Sequence, residues 1–212
     1  MTSTRSLVRR VGLGATAAAA SLVLAACGSD GGSDSGSAEQ TSASASAEGT
    51  AGAHNNQDVS FAQGMIPHHQ QAIRMARMAG AQASSTEVKD LASRIEKAQA
   101  PEIETMSGWL KEWGEEVPSS MPGMDHGMDH SGDSDTPGMM DTEDMDELMD
   151  ASGKGFDTMF LTMMIEHHEG AVEMATTEKE RGQYGPAKKL ADDIITAQNA
   201  EIEEMNQLLG KS

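Results

Sequence analysis

Two stretches of this chain, FAQGMIPHHQQAIRMA at residues 61–76 and FLTMMIEHHEGAVEMA at residues 160–175, match at an offset of 99 residues. The offset holds downstream without a gap: Leu91 falls on Leu190, Ile95 on Ile194, and AQAPEIETM (98–106) on AQNAEIEEM (197–205). A match sustained over about 50 residues marks an internal duplication, so both halves must solve the same folding problem in the same way. Apolar residues in each copy recur at helical spacing, and neither copy carries a convincing strand pattern. The expected helices run over residues 58–79, with Asp58 as N-cap, then 86–113, 156–180 and 186–209. Gly114 and Pro118 stop the second helix, and RGQYG separates the last two.

Two helical hairpins joined by a long connection predict an all-α, ferritin-like four-helix bundle built from two repeats, at 58–113 and 154–211. Pro67 and Pro101 fall inside helices and are expected to kink them or delete a hydrogen bond, unlike their repeat mates Glu166 and Ala200.

On a wheel of about 100° per residue, His68 and His69 straddle Met65 inside the apolar arc, with Met75 on the His68 side. The second copy repeats this with Met164, His167, His168 and Met174. On the partner helices, Glu102 falls within the stripe of Leu91, Ile95, Ala98, Met106 and Trp109. Glu201 does the same among Leu190, Ile194, Ala197, Met205 and Leu208. A carboxylate at a core position costs several kcal/mol unless its charge is compensated. Imidazoles, a carboxylate and thioethers brought together twice read as a metal-ligand set. A lone core histidine is more often just hydrogen-bonded, a histidine–glutamate network needs no metal, and helically spaced methionine is usually core filling. The duplication of the whole constellation tips the reading to metal. Adjacent residues diverge by about 100°, which leaves open whether both histidines of a pair reach one ion.

The di-iron signature Glu-x-x-His is absent from these helices; MIPH (65–68) and MIEH (164–167) carry a thioether where it has glutamate. That substitution favours copper, as Cu(I) or Cu(II), over iron, and zinc gives no reason for the methionines. Ligating imidazole must be neutral, so the histidine sites are expected to weaken as pH falls through about 6.5.

Ahead of the duplication, Arg5, Arg9 and Arg10 precede an apolar run too short to span a bilayer comfortably, which ends in LAAC at residues 24–27. This resembles the lipobox of bacterial lipoproteins. It implies a signal peptide at 1–26, lipidation of Cys27, export, and anchoring at the outer face of the cytoplasmic membrane. Cys27 is the only cysteine, so neither a disulfide framework nor a thiolate metal site is available. Residues 27–56, almost all Gly, Ser, Ala and acidic, form a flexible tether with His54 as a bystander. The net charge of −19 argues against nucleic acid and anionic lipid head groups as partners.

The connection, residues 114–153, is expected to be a long acidic loop. Its MPGMDHGMDH interleaves Met121, Met124 and Met128 with His126 and His130, a donor set suited to copper. It resembles the Met-Asp-His repeats of bacterial periplasmic copper-resistance proteins.

The helical HH, the EIExM downstream, the duplication and the export signal together resemble the bacterial domain-of-unknown-function 305 family, over residues 57–212 apart from the loop. The resemblance implies a ferritin-like fold and, from members that are exported copper-binding proteins, a metal role for His68, His69, His167, His168 and their flanking methionines. The expected function is copper sequestration, storage or delivery, without catalysis. The copper would pass to a copper-handling partner protein, and a homo-oligomer is left open. The alternatives are a ferritin-like oxidase using Glu102 and Glu201, and a structural or partner-binding lipoprotein without metal.

Overall fold

The computed structural model describes residues 52–119 and 136–211. The expected signal, Cys27, most of the tether, and Met121, Met124, His126, Met128 and His130 lie outside the described residues. Within them the chain is all-α: α1 (Asn56–Gln82), α2 (Thr86–Trp113), α3 (Thr142–Asp150), α4 (Gly153–Arg181) and α5 (Gly185–Leu208). None of these helices is long and apolar enough to cross a membrane.

The helix boundaries follow from capping chemistry. The α1 N-cap is Asn55 rather than Asp58: the Asn55 side chain accepts from the N–H groups of Gln57 and Asp58, while the Asp58 carboxylate accepts from Asn55 N. Ser85 caps α2, and Gly114, in the left-handed region at φ 76°, ends it. Pro186 opens α5, where its missing N–H costs nothing. Pro67 and Pro101 lie inside α1 and α2, and both helices continue through them.

α3 is a departure from the expected loop. Asp141 and Asp144 form a capping box, and the short helix buries Leu148 completely. The aspartates read in sequence as a solvated loop; two of them instead satisfy a helix N-terminus.

α1 packs closely on α2, and α4 on α5; the two pairs meet mainly through α1 and α4. Two hydrophobic clusters result, and each mixes the repeats. One contains Met65 and Met106 with partly buried Met174; the other contains Met164 and Met205 with Met75. Since 65 matches 164, 106 matches 205 and 75 matches 174, the two cores are images of each other, each completed by a methionine from the opposite copy. Leu208, placed in the core stripe by the wheel, is instead 37% exposed, at the last residue of α5.

The turns are clamped across the repeats. Asp58 on α1 accepts from Gln183 N and Tyr184 N in the α4–α5 turn, and its mate Asp157 on α4 accepts from Ser84 N, Ser85 N and the Ser84 hydroxyl in the α1–α2 turn.

Candidate metal centre

The α1–α4 interface carries the four histidines, all fully buried. His68 and His167, equivalent positions of the two copies, face each other with ring centroids 3.7 Å apart and planes inclined at 44°. The outer members turn to the partner helices. His69 Nε2 meets Glu102 Oε2 at 2.8 Å, and His168 Nε2 meets Glu201 Oε2 at 2.7 Å. The two members of each pair diverge as their 100° separation requires: one imidazole faces the other copy, the other faces its own hairpin partner. Glu102 and Glu201 are partly exposed, so each carboxylate sits at the rim of the core with its charge reaching solvent.

These contacts set the ring chemistry. A carboxylate only accepts, so His69 and His168 donate from Nε2–H; in the neutral ring the lone pair then lies on Nδ1. His68 Nε2–H donates to the Pro137 carbonyl at 3.1 Å, with the same consequence. The Nδ1 atoms of His68, His69 and His168, and both nitrogens of His167, are buried without a hydrogen-bond partner. Such orphaned polar atoms are costly in a folded interior, and a bound ion is one of the few things that compensates them.

Burial first, then the neighbouring imidazoles, pushes the His68 pKa down to about 3, against a partial opposing effect of its bond to Pro137. His167 is held well below the usual range by burial, then by His68, His168, His69 and the Arg74 charge. The central pair is therefore neutral, the form that ligates, far below the pH 6.5 at which the sequence expectation placed its weakening.

Met65 and Met164, one turn ahead of the histidines, are fully buried, as are Met75, Met106 and Met205; Met174 is half-buried. Among the described residues, no three His, Cys, Asp or Glu side chains converge on a single ion position. A metal here would draw on imidazole with thioether, a soft set.

A strap from the connection closes one face of the centre, and the sequence reading did not anticipate it. Besides the His68–Pro137 bond, Gln71 donates to Met140 O at 2.7 Å and accepts from Met140 N at 2.8 Å. Gly138, at φ 74°, lies against the carbonyls of Glu166 and His167. Pro137 O rests on Gly170, where a Cβ would stand only 2.1 Å away. Gln71 and Gly170 are repeat mates, so the strap crosses both copies at one register, held by a side chain on α1 and admitted by the lack of one on α4. The break in the repeat at this pair, Gln against Gly, was the available signal. His54, set aside as a bystander, stacks on Trp113 at 4.3 Å, and Trp109, Trp113 and Tyr184 pack around each other there.

The family model described as "Domain of unknown function (DUF305)" matches residues 58–209. The crystal structure of a DUF305 protein from Streptomyces coelicolor is 35% identical, with a TM-score of 0.64, over 73% of this chain and 93% of that one. CopM in its Cu(II)-bound form is 40% identical, with a TM-score of 0.59, over 71% of this chain and 94% of its own. A DUF305 fragment from Deinococcus radiodurans is 26% identical, with a TM-score of 0.63, over 74% and 98%. CopM structures also exist with Cu(I) and with silver. No curated protein matches the chain.

Proposed function

The chain belongs to the DUF305 family, and on this footing we propose that it is an exported copper-binding protein that sequesters, stores or delivers the ion. The observation that carries this reading is the His68–His167 pair: two buried, neutral imidazoles in contact, with both His167 nitrogens unused. A purely structural histidine–glutamate core accounts for His69 and His168 but leaves His167 without a role. Similarity to CopM, whose structures hold Cu(II), Cu(I) and silver, supports the choice of metal.

In this reading His68 and His167 hold the ion with Met65 and Met164. Met75, Met174, Met106 and Met205 supply the soft surroundings. Glu102 and Glu201 orient His69 and His168 so that each keeps its Nδ1 lone pair inward, as outer carboxylates do at many metal-bound imidazoles. The bundle is read as ferritin-like, two helical hairpins with the metal site built from facing helices. Cys27 anchors the mature chain by a lipid to the outer face of the membrane, and Met121, Met124, His126, Met128 and His130 of the acidic connection capture copper ahead of the core.

The test is a titration of untagged protein with Cu(I) against a chromophoric chelator. Wild type is expected to bind more copper than a variant with His68, His69, His167 and His168 all changed to alanine, its folding checked by circular dichroism. Equal binding by both would sink the proposal.

A further inference from the structure

The duplication places a thioether on either side of the histidine pair, Met75 on α1 and Met174 on α4, yet their surroundings differ. Met75 is fully buried in a cluster that Met140 of the strap and Leu148 of α3 complete. Met174 is half-buried and lines a surface cavity of about 180 Å³ whose walls include Phe61, Glu173 and Pro137. Pro137 is thus shared: it walls the cavity, and its carbonyl accepts from His68 Nε2 at 3.1 Å. The difference is written into the sequence at one repeat pair. Gly64 makes room for Met174, since a Cβ there would stand 2.9 Å from Met174 Cε. Its mate, Met163, is a 9% exposed side chain in the same cluster as Met75.

We propose that Met174 is the inlet ligand of the centre, the thioether that first takes Cu(I) from the cavity and passes it beyond Pro137 to the buried histidine pair. This rests on the copper-binding reading above. The step is ligand exchange: the copper–sulfur bond breaks as a copper–nitrogen bond forms at a buried imidazole nitrogen that has no hydrogen-bond partner, and the ion stays Cu(I). A thioether suits the role because it is uncharged and soft, and so holds Cu(I) without competition from protons. The Glu173 carboxylate at the mouth favours a cation's approach. Among the described residues, Met75, the mate of Met174, is instead buried in a cluster with Met163, Met140 and Leu148.

The experiment follows Cu(I) loading of the full chain from a chromophoric chelator by stopped flow, and release in the reverse direction. Met174→Leu keeps the volume and removes the sulfur. It is expected to slow loading and release together by about tenfold, ~1.4 kcal/mol on the barrier, while Kd moves far less. Gly64→Leu, which crowds the Met174 methyl without adding a donor, is expected to slow loading likewise, and Met149→Leu, at an exposed position of α3, is the control. In the metal-free chain hydrogen peroxide is expected to oxidise Met174 before Met75. Wild-type loading rates in Met174→Leu, a weakened Kd carried by faster release alone, or prior oxidation of Met75 would each overturn the inference. Failure of wild type itself to bind Cu(I) would instead remove the reading on which it rests, and the inference with it.

Discussion

Each outer histidine spends its Nε2–H on a carboxylate, His69 on Glu102 and His168 on Glu201, and so keeps Nδ1 bare in a dry interior. The carboxylate does two jobs: it satisfies a buried donor and fixes a tautomer. Glu102→Ala or Glu201→Ala leaves that donor unpaired, which is expected to cost about 1–3 kcal/mol in urea unfolding. The same variants are expected to lose about 10–100-fold in copper affinity, measured by chelator competition. Unchanged affinity with lowered stability would make the pair structural only.

The strap from Thr136 to Met140 is the element that breaks the two-fold relation of the copies, since it binds His68 and leaves its mate His167 free. Its seat depends on Gly170. Gly170→Ala would place a Cβ 2.1 Å from Pro137 O, against backbone that cannot swing aside. Alanine inside an ordinary helix stabilises by about 1 kcal/mol relative to glycine. Here the sign is expected to reverse, to a loss of about 1–3 kcal/mol from overpacking. Faster hydrogen exchange at Met140 N–H would locate the damage in the strap, and a stabilised Gly170→Ala variant would show that the contact is not tight.

Across the whole molecule the Asp58 and Asp157 clamps bind each copy's turn to the other, and they too are unequal. Glu178 lies fully buried against Asp58, whereas the matching position beside Asp157 is Ala79. Burial pushes the Asp58 carboxyl up, but the N–H groups of Asn55, Tyr184 and Gln183 and the Glu178 side chain more than offset this, so it titrates below its usual value. Burial first, then Asp58, pushes Glu178 up to about 8. The unfolded chain loses the Glu178 proton near its ordinary 4.5, while the folded chain keeps it until about 8. Stability from this group therefore falls as pH rises through that interval and levels off above it. Glu178→Gln is expected to remove the decline and raise Tm at pH 8 by at least about 2–4 °C, the equivalent of ~1 kcal/mol in a domain of this size. A wild-type-minus-variant difference that stays constant from pH 5 to about 8 would refute the assignment.

The repeat and its apolar spacing were enough to place α1, α2, α4 and α5 within a few residues and to put four histidines and five buried methionines inside, because helical periodicity is a local property that burial reads directly. They also brought Glu102 and Glu201 toward the histidine pair of their own hairpin, and the structure chose His69 and His168 as the members they meet. They could not show that His68 and His167 meet across the copies, that Pro137 reaches back to one of them, or that α3 forms within an acidic stretch. Those contacts join residues about 70 to 100 positions apart, and chain proximity carries no trace of them until the helix pairs dock. Docking also decided that an equal sequence repeat becomes unequal surroundings: the strap bonds His68 and not His167, Met174 lines a surface cavity while its mate Met75 is fully buried, and Glu178 stands against Asp58 where Ala79 is its mate.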